Sequence, residues 1–291
     1  MLNWILDILR GAVMGISNII PGVSGGTMAV SMGIYDRMIY AVNNIVKKFK
    51  ESFKTLLPIV IGMLIGLFAF AALIGHLLGT KSATIPLTRL PTNFAFIGLI
   101  LGGLPAIYKR VNLKKAGIPG LILFLLFFAI VVVLPLLKAP EARKVDHSFP
   151  VMLLMVGLGA IASAAMVIPG ISGSMIIMLL GYYESVINAM NELRAGDFSA
   201  AALLIPYLIG LLIGIVFIAK LMNFLLKKHT ALTFAAIFGL VIGSPVALLV
   251  QNKDCFAIAT TGNWIACAVC VVCGFLVAYL LSRLEKTEEN A

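Results

Sequence analysis

Six long apolar runs constrain this chain more than any other feature. Residues near 57–79, 93–108, 118–137, 203–226, 231–250 and 264–282 each reach or approach the ~20 residues with which a helix crosses hydrocarbon. Lipid offers the backbone no water to bond, so runs of this length satisfy their own N–H and C=O groups as helices. With 61% of its 291 residues hydrophobic and 12% charged, the chain reads as an all-α polytopic membrane protein. Asp7 and Arg10 interrupt the first twenty residues and no small-residue cleavage site follows, so the N-terminal segment is expected to remain as structure. The net charge of +10 then concerns placement across a membrane, and nucleic acid is not an expected partner.

Two further stretches are apolar but broken. Ile20-Pro21-Gly22-Val23-Ser24-Gly25-Gly26-Thr27 returns as Ile168-Pro169-Gly170-Ile171-Ser172-Gly173-Ser174. Proline ends a helix and glycine permits positive φ, so each copy stops one helix and starts another. A restart on Ser, Gly and Thr leaves N–H groups at the positive end of a helix with only small side chains around them, which is an anion cradle. Broken backbone at membrane depth survives where protein or a polar cavity covers it, and transporters use opposed half-helices as substrate sites. The expected substrate-binding residues are therefore Ser24, Gly25, Gly26, Thr27, Ser172, Gly173 and Ser174. Kinks that serve only close packing account for a proline or a glycine, but not for the hydroxyls gathered beside them.

Pro21 and Pro169 lie 148 positions apart, and the same offset aligns more than the motif. Gly33-Ile34-Tyr35-Asp36 falls on Gly181-Tyr182-Tyr183-Glu184, and Pro58, Gly62 and Gly66 fall on Pro206, Gly210 and Gly214. The expectation is two inverted-topology repeats, each a re-entrant broken helix pair plus three transmembrane helices, because an odd number of crossings per half reverses the second copy. Its boundaries are 1–137 for the first repeat, 138–149 for an external linker, and 150–291 for the second repeat with a short cytoplasmic tail. Re-entry is preferred to full crossing, since about nine residues at ~1.5 Å each separate Thr27 from Asp36, or Met175 from Glu184. Basic residues agree: Lys47, Lys48, Lys50 and Lys54 crowd one connection, Lys109, Arg110, Lys114 and Lys115 another, and Lys227, Lys228, Arg283 and Lys286 fall on the same side. Both termini are accordingly placed in the cytoplasm.

Asp36 and Glu184 are the acids matched across the repeat beside the broken pairs, which makes them the candidates for coupling or gating. Partly buried carboxyls exchange protons nearer neutral pH, and Arg37 is the expected cationic neighbour of Asp36. The competing reading has both acids capping or anchoring helix ends. Arg37, whose counterpart is Ser185, is the candidate substrate-binding cation or else an interfacial anchor. Asp7 and Arg10, three apart, are read as neutralising each other. Cys267, Cys270 and Cys273 recur every three residues without a histidine or carboxylate among them, and His76, His147 and His229 are scattered, so helix packing is preferred to a metal site. No P-loop, no Asp-rich diphosphate motif and no histidine in the proline loops is present, so neither an enzyme nor a cofactor is expected.

The segment Pro21-Gly22-Val23-Ser24-Gly25-Gly26-Thr27 followed by Gly33-Ile34-Tyr35-Asp36, the second copy from Pro169, and the length and hydropathy together resemble the polyprenyl-phosphate transporters, or undecaprenyl-phosphate translocases, of bacteria and archaea. The resemblance covers nearly the whole chain. It implies a flippase in the cell inner (cytoplasmic) membrane that returns undecaprenyl or polyprenyl phosphate from the outer to the inner leaflet for reuse in cell envelope biogenesis. The residues by themselves reach an inverted-repeat anion transporter, and the lipid substrate comes from the resemblance. A secondary transporter of a small soluble anion uses the same loops but needs a sealed aqueous vestibule; an integral-membrane lipid phosphatase or transferase is the third reading. Tail length, the coupling ion (protons, sodium or neither) and a homo-oligomeric state are left open by the sequence.

Overall fold

The computed structural model describes residues 2–18, 23–78, 88–111, 113–143, 145–146 and 148–289. Ile20, Pro21 and Gly22 of the first motif, with Lys144 and His147, lie outside the described residues. Among the described residues the chain is helical throughout and contains no strand. The order is α1 (Leu2–Ser17), α2 (Gly25–Ser31), α3 (Tyr35–Asn43), α4 (Phe49–Leu78), α5 (Arg89–Tyr108) and α6 (Leu113–Val133, continued by a 3-10 turn to Leu136). It resumes with α7 (Phe149–Val167), α8 (Gly173–Leu179), α9 (Tyr183–Arg194), α10 (Ala201–Lys228), α11 (Thr230–Gln251), the short α12 (Lys253–Phe256) and α13 (Thr261–Glu289). Among the described residues seven helices, α4, α5, α6, α7, α10, α11 and α13, are long and apolar enough to cross a membrane, so the chain is a multi-pass membrane protein.

The six apolar runs became helices, with ends that differ from the hydropathy. α4 starts at Phe49, so Lys50 and Lys54 stand on its first turns instead of in a connection, and Pro58 sits inside it. Charged turns extend a membrane helix beyond hydrocarbon because water satisfies the exposed groups there. The proline costs the backbone bond of one turn without ending the helix.

Close approaches at glycine set how the long helices pair. A Cβ on Gly11 would stand 2.1 Å from the Ile59 carbonyl oxygen, and one on Gly62 would stand 2.0 Å from that of Ile8. The same contacts recur 148 residues on, with Gly159 against Tyr207 at 2.1 Å and Gly210 against Val156 at 2.0 Å. α1 on α4 and α7 on α10 therefore run parallel at a separation that only small residues permit. The other two pairings cross the middle of the chain. Gly98 and Gly102 of α5 meet Val271 and Phe275 of α13, and Gly239 of α11 meets Phe124 of α6. Each half lends its last long helix to the other, so the two halves interlock.

The span windows of α5 and α11 are 56% and 61% buried, against 22% or less for α4, α6, α10 and α13. The first two form the centre and the other four the perimeter, whose exposed Phe68, Leu125, Leu212, Phe217 and Val272 suit contact with lipid tails. α3 lies at the C-terminal end of α10, where the Lys227 amine sits 5.7 Å from the Tyr40 ring centre. α9 lies at the opposite end, where Ala189 packs with Ala200 and Leu203. The 28 residues of α10 rise ~42 Å, so Asp36 on α3 and Glu184 on α9 occupy opposite ends of the bundle.

Candidate functional site

Both motifs break the chain as their composition predicts. Ser24 and Ser172 are extended (φ −112°, ψ 136° and φ −94°, ψ 125°), and each precedes a seven-residue helix. Two residues past each helix come Gly33 and Gly181, whose φ values of 84° and 83° lie in the left-handed region that a side chain disfavours. The next helix then carries the acid, Asp36 or Glu184, in its first turn.

The two breaks meet inside the bundle. The Gly170 N–H donates to the Thr27 hydroxyl at 2.6 Å, and the Ser24 hydroxyl donates to the Met166 carbonyl at 3.3 Å. The Tyr35 hydroxyl donates to the Val167 carbonyl at 3.2 Å. Met166 and Val167 close α7 just before Pro169, where carbonyls have no partner in their own helix, and side chains from the other copy supply one. Burial, with the Asp36 carboxylate beside it, pushes the Tyr35 phenol well above its ordinary pKa and keeps it a donor. A Cβ on Gly26 would come within 2.8 Å of the Val167 oxygen, so the first loop is seated directly on the end of α7.

The two loops differ in what they leave open. In the first, Gly25 N–H donates to Asn18 Oδ1 at 3.0 Å and Gly26 N–H to Ser24 Oγ at 3.2 Å, and Ser24, Gly25, Gly26 and Thr27 are all buried. Two of the amides expected to form an anion cradle are thus occupied by the protein's own side chains. In the second loop Ser172 and Gly173 are buried, but Ser174 is exposed, with its hydroxyl 2.9 Å from that of Ser172. Ser174 lines a pocket of about 300 Å³, together with Arg89, Leu134, Met178, Tyr183 and Gln251. Ile168 and Pro169 of the same loop line a different space, an apolar groove of about 490 Å³ among α6, α10 and α11 that includes Phe127, Met222 and Leu225. Gly173 has a packing role, since a Cβ there would lie 2.4 Å from the Ala162 carbonyl oxygen of α7.

At the α3 end the charges are tied together. Arg10, fully buried, pairs with Asp7 at 3.0 Å and Glu285 at 2.8 Å, and also donates to the Leu281 carbonyl at 3.0 Å. Arg37 reaches the same two acids, Asp7 at 2.6 Å and Glu285 at 3.1 Å, so two arginines and two carboxylates join α1, α3 and α13. Asp36 pairs with Arg110 at the end of α5. Adjacency in sequence had put Arg37 beside Asp36, but neighbouring residues on a helix point in different directions, and Arg37 is turned to Asp7. At the α9 end Glu184 is exposed and makes no ion pair among the described residues. Glu285, Arg110, Asn18 and Arg89 were not singled out from sequence. The first two look like ordinary charges of a tail and a basic loop, while Asn18, a lone polar residue just before the first motif, was the available signal. Cys255 and Cys267 pack with Leu90 as small apolar side chains, and the described residues hold no cluster of histidine, cysteine and carboxylate suited to a metal.

Comparison with known proteins bears on what such a site handles. The model of a family described as undecaprenyl phosphate translocase-like matches residues 14–265. A protein of Staphylococcus aureus named polyprenyl-phosphate transporter is 33% identical over 295 aligned positions, covering 99% of this chain and 98% of that one. A Vibrio cholerae protein of the same name is 28% identical over 255 positions, covering 84% of this chain and 77% of its own. No solved structure matches.

Proposed function

Because this chain belongs to the undecaprenyl phosphate translocase-like family, we propose that it carries a polyprenyl monophosphate across the membrane, from the outer to the inner leaflet, for reuse of the carrier lipid. The observation that carries the reading is the meeting of the two broken helices inside the bundle at Thr27 and Gly170. The headgroup passes between the two Pro-Gly loops, at Ser24, Gly25, Gly26, Thr27, Ser172, Gly173 and Ser174, while the isoprenoid tail stays in an apolar environment. The groove beside Pro169 favours the lipid over a small soluble anion, which has no use for an apolar cleft next to its site.

The transport cycle rests on two inverted repeats, 1–137 and 150–291, joined by an external linker at 138–149. Glycine contacts repeated at an interval of 148 residues support the duplication, and the placement of α3 and α9 at opposite ends of α10 supports the inversion. The seven-residue α2 and α8 cover only ~10 Å each, which fits re-entrant pairs better than complete crossings. Lys48, Lys50, Lys54, Arg110, Lys227 and Lys228 gather at the α3 end, so that end faces the cytoplasm and both termini lie there in the inner membrane. Arg37 meets the headgroup only after the Asp7 and Glu285 network releases it. Asp36 and Glu184 are the first residues to examine for coupling to protons.

The test is a leaflet-resolved assay with purified protein in liposomes, offering polyprenyl monophosphate or inorganic phosphate, with and without a pH gradient. Protein-dependent movement of the lipid phosphate is the expected result. Uptake of inorganic phosphate alone would establish the soluble-anion reading, and chemical turnover of the lipid would establish an enzyme.

A further inference from the structure

The pocket at Ser174 contains what the two loops lack, a cation without an ion pair among the described residues. Buried Arg10 and the partly exposed Arg37 and Arg110 at the α3 end are each paired with a carboxylate, so an anion binding there must first break a pair. Arg89, the first residue of α5, is half-buried, lines the pocket, and makes no ion pair among the described residues. Asp254 on α12 is exposed and forms no ion pair with Arg89 among the described residues. Around the pocket, Ser174 and Tyr183 bring hydroxyls, Gln251 brings an amide, and Leu134 and Met178 bring apolar wall.

We propose that this pocket is the docking site for the phosphate monoester before it enters the loops, a step that rests on the transport reading above. The Arg89 guanidinium holds two phosphate oxygens in its planar fork, which suits a phosphate better than a lysine does. The Ser174 and Tyr183 hydroxyls and the Gln251 amide donate to the remaining oxygens, and the first isoprene units lie along Leu134 and Met178. Ser174 belongs both to this pocket and to the second loop, bonded to Ser172, so a headgroup docked here already touches the path inward. The site lies at the α9 end, opposite the closed network of Asp7, Arg10, Arg37 and Glu285, as an entry from the outer leaflet requires.

The experiment measures dissociation constants of the full chain in nanodiscs for farnesyl phosphate, inorganic phosphate and farnesol. Arg89→Gln should weaken farnesyl phosphate about tenfold or more, as loss of a charged hydrogen-bonding partner does, while farnesol is unaffected. Arg89→Lys should restore part of the binding. Lys253→Gln, an exposed charge on the same end, should change it little. If Arg89→Gln does not fold, the Ser174→Ala/Tyr183→Phe double variant carries the same test at exposed positions. Equal binding of inorganic phosphate, also lost in Arg89→Gln, would keep the site and assign it to free phosphate. Unchanged binding in Arg89→Gln, or an equal loss in Lys253→Gln, overturns the proposal. Wild-type protein that translocates polyprenyl phosphate without Arg89-dependent binding sinks the pocket and leaves transport standing. Arg89-dependent binding without translocation does the reverse.

Discussion

The first broken pair, α1 to α3, and the second, α7 to α9, share a backbone plan but not a chemistry. Positions 148 apart hold Asp7 and Met155, Arg10 and Leu158, Asn18 and Met166, Thr27 and Met175, Arg37 and Ser185. Asp7, Arg10, Met155 and Leu158 are all buried, so one core layer carries charge in one copy and hydrocarbon in the other. The same helix packing accepts either filling, because the glycine contacts that set its spacing are common to both. What differs is the consequence of disturbing it. A largely buried set of paired charges adds little net stability but is costly to leave half-paired, so it pins α1, α3 and α13 in one arrangement. The second copy is held by apolar contact and hydroxyls, and it is the copy with an open pocket at its loop. In the conformation described the α3 end is latched by paired charges, while the α9 end holds an open pocket.

The largest expected effect comes from breaking the latch. Asp7→Met, which copies the residue of the other repeat, should cost on the order of 3–5 kcal/mol by leaving buried positive charge uncompensated, read as a fall in the thermal midpoint in detergent. Adding Arg10→Leu should recover much of that loss, since Arg37 and Glu285 still pair with each other. No recovery would show that the charged layer is irreplaceable and that the two copies are less alike than their packing. Next, Gly173→Val should lower translocation by roughly a hundredfold while Gly25→Val lowers it less, because the added Cβ meets backbone of α7 in the first case and the Asn18 side chain in the second. Equal losses would point to the loop amides, not packing, as the shared cause.

Thr27→Val tests the contact between copies. It removes the acceptor of the Gly170 N–H and should cost about 1–3 kcal/mol, visible as a lower thermal midpoint with expression retained. The smallest effect is expected at the matched acids. Asp36→Asn loses the Arg110 pair and should slow translocation several-fold, whereas Glu184→Gln, exposed and without an ion pair among the described residues, should change the rate less than twofold at neutral pH. A rate profile across external pH that shifts in Glu184→Gln but not in Asp36→Asn would reverse this ranking and place proton exchange at the α9 end.

Much of this molecule was legible from residue order. Apolar length alone required helices at the six runs, since lipid leaves the backbone no alternative, and Pro with Gly required a break at Pro169 and a turn at Gly181. The repeat offset was equally readable in the chain, because Pro58, Gly62 and Gly66 keep their spacing at Pro206, Gly210 and Gly214. The partners were not legible. Arg37 reaching Asp7 and Glu285, Arg110 reaching Asp36, and Thr27 reaching Gly170 join residues 30, 248, 74 and 143 positions apart. No pattern of spacing specifies which distant charge or hydroxyl will fill a given direction. That choice follows from how α5 packs on α13 and α6 on α11, and from the close approaches at glycine that bring those helices together. Whether an amide at a helix start is free or already bonded to Asn18 is decided at the same level, by what folding leaves within 3 Å of it.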